Sequence, residues 1–472
     1  MSRGKRTRGP EVVRRSRTPR FDLTTALAVL IPLLTVGLLA VVRLPPVHDT
    51  DQPPSLTKLT SSLVVCPSAG ATSGDAAVST ASGASGDLSV VTGGRQQTVP
   101  VDTGATSAVR GPDSVVVRGH DELAPGLLAL RSATAPVTGV ACVVPSSEQW
   151  FTGVGSRADH DSVIELVNPD AGPAVADITL LGAHEFSIRS LRGIQVPGHK
   201  TIAVDLGKVI PRRALMTAHV VVSRGRLAVD VLDTSTDLVT HRSLREWLPR
   251  QVVPATDNEL LGLPTGSGER SLRVANPGDS VVRAQIKIVT GDTSFTPDGL
   301  APLSVPPGAT AQVSLGKVLG QALKDGALGV SVEADQPVTA SLATSLAKDL
   351  VLTVPATDVT SEAATLLPVV QGRAAKKGQV TSTLQLSADA AGSVVVTAYD
   401  VSGKQVLHRT VAAQQGRTAT VRLPGGAAFV QVEPRRTPVR GAVVVSGDGA
   451  TVVPLTELLT QGLVPQISPG QD

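Results

Sequence analysis

The sequence predicts an all-β chain built from repeated sandwich units, and three observations carry that prediction. Apolar and polar residues alternate through Ile178-Thr179-Leu180, Thr201 to Asp205 and Val282 to Ile288, the pattern of strands with one buried face. Asn-Pro, Pro-Gly and Gly-Asp pairs punctuate these runs and supply the fixed or positive φ that tight turns need. One long segment also occurs twice. Ser162 to Pro169 (SVIELVNP) parallels Ser271 to Pro277 (SLRVANP), and Val196-Pro197 parallels Val305-Pro306. Leu206-Gly207-Lys208-Val209 parallels Leu315-Gly316-Lys317-Val318, and Ala218 to Val222 parallels Ala327 to Ser331, all at an offset of about 109 residues. A register kept across so many landmarks marks a duplication.

Weaker copies flank the duplicated pair. Pro136 to Val140, Pro337 to Ser341 and Pro438 to Ala442 repeat one strand, and Leu227 to Val231 stands in its place in the second copy. Four units follow, at residues 59–146, 147–255, 256–368 and 369–463, with a tail at 464–472. About seven short strands per unit describe an immunoglobulin-like or fibronectin-like sandwich. A β-propeller, with each repeat split into four-stranded blades, is the alternative. Short helical turns are expected at Lys208–Met216, Lys317–Lys324 and His241–Leu248. Locally closed hairpins predict units that meet through small polar interfaces, as domains along one chain usually do, and so form a rod.

The N-terminal region reads differently. Residues 1–22 hold Arg3, Lys5, Arg6, Arg8, Arg14, Arg15, Arg17 and Arg20, so the formal charge of +3 reflects this tail and not a nucleic-acid-binding surface. Leu23–Val42 is uncharged and, as a helix, would span roughly 30 Å, the thickness of a bilayer core. Cations before the span and few after it place residues 1–22 in the cytoplasm and the bulk of the chain outside. A Pro-rich stalk follows at 43–58. Cys66 and Cys142, the two cysteines of the chain, suit one disulfide in an oxidising compartment. In the chain-entropy view a loop of that size restricts the unfolded state by about 4–5 kcal/mol.

The basic tail with its single span, the Trp150-Phe151-x-Gly153-x-Gly155 run, the Asn-Pro strand ends and the Val-Pro-Gly turn resemble an uncharacterised family of single-pass, membrane-anchored actinobacterial cell-envelope proteins. An Arg-, Ala-, Gly- and Val-rich composition accords with a high-GC genome. The resemblance implies a β-sandwich repeat fold and an extracytoplasmic compartment, and it assigns no catalytic residue.

Residues for chemistry are sparse. Asp159-His160-Asp161 is the densest candidate for a metal or acid–base cluster, weighed against a solvated turn. His184-Glu185 and His199-Lys200 lie at expected strand ends without a nucleophile elbow. No phosphate loop or zinc motif occurs, so no cofactor, metal or catalytic residue is assigned. Trp150, Phe151 and Trp247 are candidates for stacking on a ligand such as a sugar ring, although a chain with 2% aromatics also needs them as core. The expected function is a membrane-anchored extracytoplasmic scaffold that holds an envelope protein. An envelope glycan-binding protein is the alternative, and an extracytoplasmic enzyme comes third.

Overall fold

A computed structural model describes residues 55–70, 74–134, 136–368 and 380–464, together with Leu27, residues 30–35 and Gly37. The basic tail, most of Leu23–Val42, most of the stalk and nearly all of the tail 464–472 lie outside the described residues. No described helix is long and apolar enough to cross a membrane. Leu56–Leu463 forms one compact unit, and it is all-β apart from a few short helical turns.

Apart from a two-stranded sheet at Ser55–Lys58 and Gln461–Val464, seven sheets make four two-layered units, here called pairs, along the described chain. The third is one eight-stranded sheet whose long strand Ala327–Leu346 serves both layers, and no sheet closes into a barrel. In the first pair Ser61–Cys66, Val115–His120, Gly86–Thr92 and Arg95–Val101 make one sheet. Ser107–Val109, Ala76–Thr80, Leu127–Thr134 and Val137–Ala141 make the other. All of these ladders are antiparallel. Each pair encloses its own aliphatic core, as around Val78, Leu88 and Val117 in the first and Leu272, Ile286 and Val332 in the third. With so few aromatics, Val, Leu, Ile and Ala provide nearly all the buried area, at roughly 1.5–3 kcal/mol per fully buried large aliphatic.

In the second and third pairs the two Asn-Pro asparagines make matching hydrogen bonds. Asn168 donates through Nδ2 to Gly172 O and Val196 O while its Oδ1 accepts from Asp170 N–H. Asn276 does the same with Ser280 O, Val305 O and Gly278 N–H. The Asn-Pro signature is therefore a structural clamp. Its amide closes the loop after one strand and ties it to the turn that carries Val196 or Val305. Of the expected helical turns, Gly316–Ala322 is helical, and near Lys208 only Leu206–Val209 is. His241–Leu248 is instead mostly strand: Arg242–Leu248 pairs with Ala228–Asp237 and buries Leu248 in the second core. Pairing and burial override its weak helical pattern.

The pairs do not form a rod. Val65 and Val116 of the first pair pack on Val167 and Ala228 of the second. Ala343, Leu350 and Leu352 of the third pair enter the core of the second. Val351 packs with Ala450 and Val452 of the fourth. The fourth then returns to the first, where Leu366, Phe429 and Val453 meet Ala77 and Leu130. The four pairs thus make a closed ring with apolar seams, in place of the expected string with small polar contacts. Strand Gln461–Val464 pairs with Ser55–Lys58, and Leu59 N–H donates to Thr460 O at 3.1 Å. The last four residues of the expected stalk are thus a paired strand.

Candidate functional site

The last long strand of each sheet pair turns towards the ring's centre. Val137–Ala141, Arg242–Leu248, Leu350–Thr353 and Gly449–Pro454 lie beside one another in ring order. The segments that leave these strands, together with residues such as Ser62, Leu128, Asp230 and Leu366, line a central cavity of about 360 Å³. All four pairs contribute to its wall, so the cavity exists only because the ring is closed.

Most of the wall is aliphatic, but one side is charged. Asp230 is 4% exposed, and its Oδ2 has no hydrogen-bond partner among the described residues. Burial, and then the nearby charge of Glu165, push its carboxyl well above the usual range, with Arg250 opposing. The Arg250 guanidinium donates through Nη1 to Val144 O at 2.9 Å and Gln149 Oε1 at 3.1 Å. Val144 lies two residues beyond the disulfide. Cys66 is bonded to Cys142, and Val143 exchanges both backbone bonds with Val65 at 2.9 Å. The expected disulfide is present, and it fixes the linker on which Arg250 rests.

Asp159-His160-Asp161 does not act as a cluster. Asp159 holds Arg157 through two 2.8 Å bonds, and Asp161 approaches Gly207 beside Asp205. His160 points the other way. Its Nε2 lies 3.0 Å from both carboxylate oxygens of Asp233, and its Nδ1 is 2.9 Å from Ala214 O. Both ring nitrogens face acceptors, an arrangement that favours the imidazolium. Burial alone would lower its pKa, but Asp233 outweighs burial and raises it. Burial would raise Asp233, and His160 outweighs that and lowers it. Ser162 donates to Asp233 Oδ1. Its proton therefore goes to the carboxylate and not to the imidazole, and the trio lacks the serine-to-histidine bond that nucleophilic catalysis requires. Among the described residues no group of His, Cys, Asp and Glu could hold a metal ion.

The cluster sits where the second pair meets the third. The Gly153 bulge, at φ 104°, lets Arg273 of the third pair reach in and donate to Gly153 O at 2.7 Å. A Cβ on Gly153 would stand 2.5 Å from Arg273 Cδ. Thr152 Oγ1 and Thr339 Oγ1 are 2.6 Å apart, and Ser341 donates to Thr152 O. The Trp-Phe-x-Gly-x-Gly run is thus an interface element.

Trp150, Phe151 and Trp247 are 5%, 1% and 3% exposed. Trp150 stacks on His219 at 3.7 Å, and Phe151 belongs to the second core. None offers a face to a sugar ring. His184 packs against Phe186, and His199 occupies the left-handed position of a turn in which Lys200 N–H donates to Pro197 O. Sequence reading missed Asp230, Arg250 and the Arg440 cage, in which Arg440 bonds Asp257, Asp358 and Asp389 at 2.7–3.3 Å across the third and fourth pairs. Asp230 carried a signal: a charge in the apolar run Leu227 to Leu232 is costly unless something answers it.

Comparison with protein families matches residues 103–424 to a family of unknown function, DUF5719. The chain belongs to that family. No curated protein matches it. Among solved structures, a crystal structure of a Streptomyces avermitilis alpha-L-rhamnosidase complexed with L-rhamnose aligns at 10% identity and a TM-score of 0.13. That alignment covers 82% of this chain and 57% of the enzyme chain, and a likeness this weak carries no argument.

Proposed function

We propose that the protein is a membrane-anchored platform of an actinobacterial cell envelope that holds a protein partner outside the membrane. Residues 1–22 form the cytoplasmic tail, Leu23–Val42 the span, and each sheet pair is an immunoglobulin-like sandwich in the ring. The observation that carries this reading is ring closure: apolar seams between all successive pairs make one stiff body with many loops, which suits presentation. The Cys66–Cys142 bridge supports an oxidising compartment. Burial of Trp150, Phe151 and Trp247 favours a protein partner over a glycan.

The test is in-cell crosslinking of the full chain with a photoreactive residue at Val239, which is highly exposed. One abundant envelope-protein adduct is expected, and adducts to glycan alone would favour the alternative. Protease added to spheroplasts should digest everything beyond the span, and a protected C-terminal region would reverse the orientation.

A further inference from the structure

We propose that the central cavity is a binding site for a small amphiphile with an alkyl-like body and a protonated amine. Its size, about 360 Å³, lies at the low end of the ~300–1,000 Å³ typical of ligand pockets. The body would contact Val64, Leu128, Val140, Val354, Leu366 and Leu455, which reach the cavity from all four pairs. An apolar lip leads in: Val252 and Leu459 line the cavity and are 39% and 50% exposed, and neighbouring Val253 is more exposed still.

The amine follows from charge and hydrogen bonding. The wall carries three carboxylates, Asp230, Asp358 and Glu457, against one guanidinium, Arg250. Two of these carboxylates are engaged. Asp358 accepts from Arg440 at 2.7 Å, and Glu457 Oε1 accepts from Thr360 and Ser361. Glu165, behind Asp230, is taken up by Ser68. Arg250 spends Nη1 on Val144 and Gln149. Asp230 is left buried with an oxygen that no described group satisfies, and native folds rarely tolerate such an oxygen without a partner. A cationic donor supplies that partner and favours the ionised carboxylate that burial alone disfavours.

Calorimetry on the full chain in lipid nanodiscs, blanked with empty discs, tests this with butylamine, pentylamine and hexylamine. Each added methylene should tighten binding about fourfold, since burying one contributes ~0.8 kcal/mol. Asp230→Asn should weaken hexylamine at least tenfold while leaving the weaker binding of hexanol unchanged. Ala141→Phe, which fills the cavity, should abolish both, and if it fails to fold Asp230→Asn still decides. Absence of saturable hexylamine binding would overturn the proposal. So would hexanol binding as tightly as hexylamine, or amine binding indifferent to Asp230→Asn. Nα-acetyl-lysine amide binding more tightly than hexylamine would replace the free amphiphile with a lysine side chain and overturn that part.

Discussion

The second and third sheet pairs share matching landmarks about 109 residues apart, yet they dock onto their next neighbours by different chemistry. In each, a glycine at positive φ ends or bulges the first strand: Gly153 at φ 104° and Gly262 at φ 96°, one repeat apart. Gly153 faces Arg273, and a Cβ there would collide with the guanidinium stem. Gly262 faces Val452 and Val444 of the fourth pair, and a Cβ would come within 2.6 Å of Val452 Cγ1. The backbone solution was retained while the contact changed from a buried ionic network to an aliphatic seam. Ser162 aligns opposite Asp233 in one ladder, whereas Ser271 aligns opposite Ala343 in the other. The lesson is that the repeat preserves how close two backbones come, and each seam chooses its own side chains.

That comparison can be broken most forcefully at Asp233. Asp233→Ala leaves His160 and Arg273 buried without their counter-charge, and should cost about 3–5 kcal/mol in denaturant unfolding. Val452→Ala, in the aliphatic seam that faces Gly262, should cost less, about 0.5–3 kcal/mol, and equal losses would mean that the ionic network is not special. Next in size, Gly153→Ala and Gly262→Ala should each cost about 1–3 kcal/mol, because both combine strained φ with a blocked approach. If only one is costly, the two glycines do not share a role.

Asn168→Ala and Asn276→Ala should sharpen the likeness. They remove matching hydrogen bonds and should lower stability by similar amounts, about 1–3 kcal/mol each, measured as shifts in the unfolding midpoint at constant m-value. The smallest effect belongs to Asp349, in the hairpin of the third pair that faces the fourth. Its Oδ2 accepts Ala450 N–H at 2.6 Å, and burial raises its pKa to about 6. A folded-state pKa above the unfolded one means that stability is full below about pH 4 and declines as pH rises through about 6. Asp349→Asn keeps one acceptor for Ala450 N–H, gives up the bond from Leu350 N–H and should remove that slope. An unchanged pH profile would show that Asp349 is not responsible. The second pair has Thr240 at that place in an exposed hairpin with Val239, so it should show no such dependence.

Much of this was legible in the residues. Period-two alternation and turn residues announced strands, the 109-residue register announced the duplication, and Cys66 with Cys142 announced a bridge. Ring closure was not read, because the residues that close it are far apart in sequence and individually bland, such as Gly139 against Thr451 and Val453. A signal did exist. Leu350-Val351-Leu352-Thr353 and Ala442-Val443-Val444-Val445 are buried at every position, and unbroken apolar strands of this kind are covered on both faces. Such strands require a neighbour beyond their own sandwich. The cavity was still harder to foresee, since Asp230 and Arg250 meet only once the linkers converge. The aromatic candidates misled because scarcity made them conspicuous, while their size made them core.

The strand formed by Gln461–Val464 lies against Ser55–Lys58, and this has a consequence for how the molecule is made. Synthesis delivers the first sheet pair and both cysteines early, so that pair can collapse and oxidise while the fourth is still being made. The seal must wait for the fourth pair, whose Leu366, Phe429 and Val453 cover Ala77 and Leu130. Until then Ala77, Leu130 and the other apolar positions that receive the fourth pair stand open to water. Assembly is therefore vulnerable to premature self-association for most of the time of synthesis, until the fourth pair docks on the first.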